Sequence, residues 1–317
     1  MISEAVRNAG KSGEDQLYIL GDWGTSNLRI YLHSKNEGLL QTLEGQGIGR
    51  IREQAATYFF ELIEPWRRKY GSIDITLSGM VGSNIGWLET PYADCPVRKE
   101  LLSERLSRFS ARGHNISIVP GLKTLNPFGA PDVMRGEESQ IIGALILDQS
   151  LQVGRHILCL PGTHTKWVLI EDGSVQSFFT TISGELFALF RKHSVLVDWH
   201  EEIDPEESDA YEQGIARAKE LFPTALLHII FEVRSRQLTG QLTRPEAVSY
   251  LSGLIIGRDI AGALPIFESE TENIRITVIG ANRLASLYAA GCIQQSRQAR
   301  IIDGEQALLA GLCEIRT

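Results

Sequence analysis

Three short stretches hold the residues best suited to chemistry. In Asp22-Trp23-Gly24-Thr25-Ser26 one acid precedes a turn of small residues. Glycine lets backbone approach a ligand closely, and clustered N–H groups attract anions. An acid at such a turn does not bind phosphate directly, but it can hold the Mg²⁺ that neutralises phosphate. Gly, Thr, Ser and Asp also make ordinary tight turns, so this stretch alone leaves both readings open. In Pro161-Gly162-Thr163-His164-Thr165-Lys166, the Thr, His and Lys side chains can donate to phosphate oxygens, or can stand as exposed turn residues. In Arg135-Gly136-Glu137-Glu138, two acids head an almost wholly apolar run to Leu147. The helix dipole accommodates acids there, with a salt bridge to Arg135. A carboxylate at the floor of a cleft would equally serve as a general base.

The elements around these stretches follow from periodicity. Leu28, Ile30 and Leu32 alternate with Arg29, Tyr31 and His33, which predicts a β-hairpin with Asp22 and Gly24-Thr25-Ser26 at its tip. At a shift of 138 residues Ile19-Leu20 falls on Ile157-Leu158, Gly24-Thr25 on Gly162-Thr163, and Ile30-Tyr31-Leu32 on Val168-Leu169-Ile170. The chain therefore contains two strand–Gly-Thr–strand hairpins, the pattern of a nucleotide clamp. Leu160 stands where the first copy has Asp22, so only the first hairpin can offer a carboxylate to a metal.

Further strands are predicted over 39–43, 73–77, 116–119, 175–180, 274–279 and 299–302. Helices are predicted over 53–68, 99–109, 186–193, 206–221, 224–238, 245–264, 283–290 and 304–315. Ser183 is the expected N-cap of the helix over 186–193. Gly45 to Gly49 is expected to be a flexible loop, and the Pro- and Gly-rich stretch 120–131 an irregular inter-domain crossover. Between Ser78 and Tyr92, the residues Ser78, Ser83, Asn84, Trp87, Glu89 and Tyr92 could hydrogen-bond a polyol and cover one apolar face of it, or could form a structural loop with a buried Trp. Gly280-Ala281-Asn282 forms a strand-to-helix turn, by itself a weak nucleotide signal.

Composition sets the broad class. The chain has 317 residues, 43% hydrophobic and 22% charged, with a net charge of −8. That length suggests two domains, and that charge argues against nucleic acid or an anionic membrane as main partner. No apolar run is long enough to span a bilayer. Met1 to Gln16 is polar, without the apolar core of a signal peptide, and is expected to be flexible. Cys95, Cys159, Cys292 and Cys313 are widely spaced and form no CxxC pair, the usage of reduced thiols in a cytoplasmic protein. GxGxxG after the first strand and GxxxxGK[ST] are both absent, which excludes Rossmann dehydrogenases and P-loop enzymes.

The order of parts resembles the actin/hexokinase/Hsp70 ATPase superfamily, and within it the 2-dehydro-3-deoxygalactonokinase family of sugar kinases. The resemblance rests on Asp22-Trp23-Gly24-Thr25-Ser26, Ser78-Gly79-Met80-Val81-Gly82-Ser83, Arg135-Gly136-Glu137-Glu138 and Leu160-Pro161-Gly162-Thr163-His164-Thr165-Lys166-Trp167, and it covers about Leu17 to Ile315. It implies an α/β, two-domain, ribonuclease H-like (actin/hexokinase-type) fold, each domain a mixed sheet flanked by helices, with an interdomain cleft. The domains implied are 17–128 and 129–317 after a flexible 1–16, with the terminal helix packing back at the interface.

The implied reaction is phosphorylation of 2-dehydro-3-deoxy-D-galactonate by ATP at its 6-hydroxyl, in galactonate breakdown, by a cytoplasmic enzyme that could be a homodimer. By motif, Asp22 would hold Mg²⁺. Gly24, Thr25 and Ser26 would face the β- and γ-phosphates, with Gly162 and Thr163 opposite and His164 and Lys166 nearby. Gly280, Ala281 and Asn282 would border adenine and ribose. Ser78, Gly79, Met80, Ser83, Asn84, Trp87, Glu89 and Tyr92 would hold the sugar acid, and Arg135, Lys166 or His164 its carboxylate. Related kinases carry an Asp as base after the helix-heading Gly; here Glu137 takes that register, with Glu138 as the alternative. The other readings are a kinase for a different sugar acid or polyol, and a non-catalytic ATP-binding regulator of the same fold.

Overall fold

Period-two alternation and a few close-approach glycines account for the first sheet. In the computed structural model, which describes residues 16–197, 203–267 and 274–317, β1 (Leu17–Trp23) and β2 (Asn27–Ser34) form the expected antiparallel hairpin, Ile19 opposite Leu32 and Trp23 opposite Leu28. Leu28, Ile30 and Leu32 face the core. Tyr31, on the other face, is also fully buried. β3 (Gly38–Gln46) pairs with β2. Next come α1 (Ile48–Ile51), a 3₁₀ turn (Arg52–Gln54), α2 (Ala55–Leu62) and α3 (Glu64–Tyr70).

The single helix expected over 53–68 is thus interrupted at Ile63. Pro65 has no N–H to continue the ladder, and it opens α3 instead of ending the helix. Ala55 joins Phe59, Phe60 and Ile63 in the core. β4 (Asp74–Gly79) runs parallel to β1. β5 (Ala93–Asp94), α4 (Lys99–Glu104), β6 (Ser107–Ala111) and β7 (His114–Ile118) follow. The surface helix expected as far as Phe109 stops at Glu104. Arg112 and Gly113, both at positive φ, turn the chain so that β6 pairs with β7 and Phe109 packs on the core.

The stretch expected to be irregular, 120–131, instead contains a hairpin of β8 (Leu122–Leu125) and β9 (Pro131–Met134). The Asn126 side chain closes it, accepting from the backbone N–H of Phe128 at 3.0 Å and of Ala130 at 3.1 Å. Pro131 is tolerated because it is the first residue of its strand. The chain continues through α5 (Glu137–Leu147), β10 (Arg155–Leu160), β11 (Thr165–Glu171), β12 (Ser174–Thr181), α6 (Ser183–His193), α7 (Asp209–Glu220), α8 (Leu226–Ile229), α9 (Glu232–Leu238) and α10 (Arg244–Phe267). It ends with β13 (Ile276–Gly280), α11 (Asn282–Gln294), β14 (Ala299–Asp303) and α12 (Gly304–Ile315).

The two large sheets repeat one plan. The first has the strand order β3-β2-β1-β4-β7-β6 and the second β12-β11-β10-β13-β14. In each, an antiparallel meander of three strands meets strands that run parallel to its first member. Each is a mixed sheet flanked by helices, the fold class read from the sequence.

The residues fall into two units: the described part of Met1–Ala93 with Lys99–Gly121 and Leu312–Thr317, and Asp94–Arg98 with Leu122–Gly311. The division at Gly121/Leu122 precedes the expected 128/129, because the β8–β9 hairpin belongs to the second unit. There Asp132 accepts from the Thr180 amide at 2.8 Å and its hydroxyl at 2.7 Å. All but Gln16 of the terminus expected to be flexible lies outside the described residues.

α10 qualifies by length and composition as a membrane span, contrary to the reading of the sequence, but 67% of its most apolar window is buried inside the protein. It is the central helix of the second unit. Cys159 and Cys292 are buried, Cys95 and Cys313 half-buried, and all four thiols are free.

Helix α5 packs against α12 through glycine. A Cβ on Gly143 would overlap the Ala307 carbonyl, and one on Gly311 the Ser139 carbonyl. Gly143→Ala should therefore lower stability by about 1–3 kcal/mol, the usual cost of overpacking. Gly262 in α10 has nothing within 4 Å of such a Cβ. Gly262→Ala should instead add about 0.5–1 kcal/mol by removing backbone freedom from the unfolded chain. Urea denaturation of the two variants checks both signs.

Candidate active site

Asp22 lies in β1 rather than in the turn itself. It is half-buried, opposite Arg29 in β2 and Ser78 in β4. Space around its carboxylate depends on Gly79, at φ +93°. A Cβ there would lie 2.9 Å from the Trp23 carbonyl oxygen and 3.2 Å from Asp22 Oδ1. The turn proper is Gly24-Thr25-Ser26, with Thr25 and Ser26 exposed. Its carbonyls do not point outward: Gly24 O accepts from Ile48 N, Thr25 O from Gly49 N and Ser26 O from Gly47 N, each at 3.0 Å. A Cβ on Gly47 would overlap Thr25 O. The stretch expected as a flexible loop over 45–49 therefore ends β3, begins α1 and braces the hairpin tip. Its glycines permit that close approach rather than motion.

The loop after β4 is bonded mostly to itself. Ser83 Oγ donates to Met80 O at 2.7 Å, and Thr90 Oγ1 to Gly82 O at 3.1 Å. The Trp87 ring packs on Phe59, Phe60 and Phe109 at centroid distances of 5.4–5.7 Å. Trp87 is thus half-buried against the core, and the Ser83 hydroxyl gives its proton to its own turn. Ser78 and Gly79 are buried, Met80 and Tyr92 half-buried, and Asn84 and Glu89 exposed.

The second hairpin has a longer tip. Leu160 pairs with Lys166, leaving Pro161-Gly162-Thr163-His164 between the strands, against three residues between Trp23 and Asn27 in the first. This register places Lys166 inside β11, not at the tip, with its side chain 7% exposed. Its Nζ lies 4.0 Å from Glu137 Oε1. Glu137 is at the head of α5, after Gly136 at φ +112°. Its carboxylate accepts from Arg135 N at 3.1 Å. Burial pushes its pKa up; the Lys166 charge, backbone donors and His164 pull the other way. Glu138 is wholly buried, and Oε2 accepts from Gly136 N at 2.6 Å. The two acids therefore differ: Glu138 braces the helix start, whereas Glu137 keeps 27% of its side chain exposed.

The tip of the second hairpin is fixed by the first turn of α6. Glu185 N donates to Thr163 O at 2.9 Å, and His164 Nε2 lies 2.7 Å from Glu185 Oε2. A Cβ on Gly184 would overlap Gly162 O. Ser183 makes no N-cap bond, contrary to expectation. Its hydroxyl instead meets Thr165 Oγ1 at 2.7 Å and Tyr288 Oη at 2.9 Å. Beside the tip opens a cavity of about 280 Å³, lined by Gly162, Thr163, Ser183 and Tyr288 with Phe187, Ile255, Ile256 and Leu284 among its apolar walls. Of Gly280, Ala281 and Asn282, the first is buried against Pro161 and the other two are exposed; none lines the cavity.

The cavity residues Leu284 and Tyr288 went unread in the sequence, though their i, i+4 spacing on the helix after that turn was a usable signal. Asp259 was also missed: a carboxylate within an otherwise apolar helix, which accepts from Trp167, Thr181 and Tyr288.

Two like-ordered mixed sheets, each led by a Gly-Thr hairpin, with an acid in the first and a Gly–Glu helix start in the second unit, define a sugar kinase of the actin/hexokinase type. The 2-keto-3-deoxy-galactonokinase family model matches residues 22–315, and the chain belongs to that family. A 2-dehydro-3-deoxygalactonokinase of Escherichia coli (strain K12) is 32% identical over 94% of this chain and 97% of its own length. A probable 2-dehydro-3-deoxygalactonokinase of Rhizobium meliloti (strain 1021) is 31% identical over 93% and 95%. A solved structure from Sinorhizobium meliloti, described as the same kinase, superposes with a TM-score of 0.83 at 30% identity, covering 94% of this chain and 97% of that one. The activator of 2-hydroxyisocaproyl-CoA dehydratase from Clostridium difficile, solved with bound ADPNP, shares the fold alone, with a TM-score of 0.50 at 10% identity over 95% and 94%.

The Lys166–Glu137 pairing is directly testable. Lys166→Met removes the cation that favours the ionised carboxylate, so Glu137 should titrate at higher pH than in the unaltered protein. A ¹³C-carboxyl NMR titration of both proteins measures the displacement; no change would show that Lys166 does not act on Glu137.

Proposed function

We propose that the chain transfers the γ-phosphoryl group of ATP to the 6-hydroxyl of 2-dehydro-3-deoxy-D-galactonate, giving ADP and the 6-phosphate, a step of galactonate catabolism in the cytoplasm. The observation that carries the reading is Glu137: a partly exposed carboxylate with a raised pKa at the head of a buried helix, with Lys166 against it, in a member of a sugar-acid kinase family.

In the proposed reaction Glu137 accepts the proton of the sugar hydroxyl as its oxygen bonds to phosphorus and the bond from phosphorus to the ADP oxygen breaks. The proton then passes to solvent. A base with raised pKa is poised closer to neutral pH than an ordinary glutamate, which suits that exchange. Gly162 and Thr163 present backbone and hydroxyl donors to the phosphates at the mouth of the cavity, whose apolar walls suit a nucleoside. Gly24, Thr25 and Ser26 serve as the other phosphate contacts, their carbonyls being held away by α1. Arg135, Lys166 and His164 are the basic side chains proposed to meet the sugar-acid carboxylate. Phosphoryl transfer depends chiefly on such positioning and charge stabilisation.

Asp22 suits Mg²⁺. Among the described residues no group of three or more His, Cys, Asp or Glu could hold a metal, so Asp22 would hold the ion with at most one further such side chain. Mg²⁺ is commonly held in this way, by one or two carboxylates with waters and substrate phosphates. Bound there, it would supply charge neutralisation to the phosphates.

Three measurements check the reading. A coupled ADP-release assay over C6 sugar acids and neutral sugars should give turnover on the 2-dehydro-3-deoxy acid; turnover only on neutral sugars or polyols, or none at all, would exchange it for one of the alternative functions. Asp22→Ala should abolish turnover with an unchanged circular dichroism spectrum. Glu137→Gln should lower kcat by on the order of 10²–10⁴, whereas Glu138→Gln, which alters a buried structural contact, should chiefly lower the melting temperature. The reverse pattern would transfer the base role to Glu138.

A further inference from the structure

A buried cluster of side chains behind the second hairpin has no part in the proposed chemistry. Asp259, on α10, takes Trp167 Nε1 at 2.9 Å on one oxygen. Its other oxygen takes Thr181 Oγ1 at 3.0 Å and Tyr288 Oη at 2.6 Å. An ionised carboxylate only accepts, and an indole N–H only donates. Tyr288 therefore gives its one proton to Asp259. The oxygens of Tyr288, Ser183 and Thr165 lie in mutual contact at 2.7, 2.9 and 3.1 Å. Two protons remain for these three contacts, those of Ser183 and Thr165. Tyr288 must accept, so the shortest complete arrangement passes both protons inward, toward Tyr288 and Asp259. Burial pushes the Asp259 pKa up, while the hydrogen bonds from Tyr288, Trp167 and Thr181 pull the other way.

This polarity has a consequence at the cavity, which Ser183 lines beside Gly162 and Thr163. With its proton directed inward and one lone pair taken by Thr165, Ser183 Oγ has a single lone pair left for the cavity. A ligand group placed against it has to be a donor. Since the neighbouring Gly162-Thr163 tip is the proposed phosphate contact, the part of a nucleotide adjoining it is the sugar, and the donor there is a hydroxyl. We infer that Ser183 recognises a ribose hydroxyl of the nucleotide as a hydrogen-bond acceptor, and that Asp259, acting through Tyr288, is the positioning residue that sets its direction. The inference rests on the reading of this cavity as the nucleotide site.

The test compares ATP with 2′-deoxyATP and 3′-deoxyATP as phosphoryl donors to the sugar acid. The unaltered enzyme should prefer ATP over one of the two by about five- to tenfold in kcat/KM, the range of one hydrogen bond. The difference should lie in KM, because a contact made equally in ground and transition states leaves kcat unchanged. Ser183→Ala should abolish that preference. Asp259→Asn reverses the chain, since its amide must donate to Tyr288; it should also reduce the preference, with KM for the sugar acid unchanged. A merely structural role for Asp259 would leave the analogue ratio intact.

Equal use of all three nucleotides by the unaltered enzyme, or a preference that survives Ser183→Ala, overturns the inference. If Asp259→Asn does not fold, the analogue series and Ser183→Ala still decide it. Ile255→Trp, which fills the cavity, separates the two levels. If it leaves KM for ATP unchanged, the cavity is not the nucleotide site; if it raises KM while the analogue ratios fail, only the Ser183 assignment falls.

Discussion

A buried carboxylate ties the second unit together. Taking an ionised group out of water costs several kcal/mol unless donors replace the lost hydration. Asp259 is supplied with such donors from three different elements: Trp167 in β11, Thr181 at the end of β12 and Tyr288 in α11. Each can reach it only if α10 lies in register against both the sheet and α11. The requirement to satisfy one charge therefore fixes the positions of two strands and two helices at the level of the hairpin tip. The close approach of α10 to α7 has the same character. A Cβ on Gly253 would overlap the Tyr211 carbonyl, and one on Gly214 would lie 2.5 Å from that of Tyr250.

The two hairpins solve one problem by different means. On the proposed reading both tips meet phosphate, and such a tip must be held still, because a loop ordered only on binding loses affinity to conformational entropy. In the first unit the amides of Gly47, Ile48 and Gly49 take all three tip carbonyls. In the second, the first turn of α6 does the equivalent work through Glu185 N and the Gly184 contact. The second tip is one residue longer, which shifts the pairing so that Lys166 enters the sheet and reaches Glu137. The copies have thus diverged in role: the first keeps a carboxylate at the strand end, and the second brings a cation to the acid that heads α5.

Much of this was legible from local pattern. Alternation at Leu28, Ile30 and Leu32 sufficed for a strand with one apolar face, and the repeat of Gly-Thr between two apolar strands sufficed for a duplicated hairpin. Where local pattern erred, a side chain or a glycine had a distant partner. Gly45 to Gly49 looks flexible by composition, yet Gly47 and Gly49 lie against Thr25 O and Gly45 against the Tyr58 ring. Pro120 to Pro131 looks irregular, yet β8 pairs with β9 there and Asp132 of β9 holds Thr180, 48 positions away. Trp87 in a polar loop looks available to a ligand, but Phe59 and Phe60 of α2 and Phe109 of β6 pack against its ring.

The sequence by itself determined the period of most strands and helices, the duplication, the excluded nucleotide motifs and the residue types that could hold a metal, a phosphate or a proton. These are properties of spacing and side-chain chemistry, which are local and survive in the linear chain. Only the tertiary structure decided which of the two adjacent glutamates keeps an exposed carboxylate, that Lys166 faces it, and that Asp259, Tyr288, Ser183 and Thr165 share protons at the wall of a cavity. Those outcomes depend on burial and on contacts between residues up to 123 positions apart. Desolvation and hydrogen-bond direction are set by whatever the fold brings alongside, and a linear pattern carries neither.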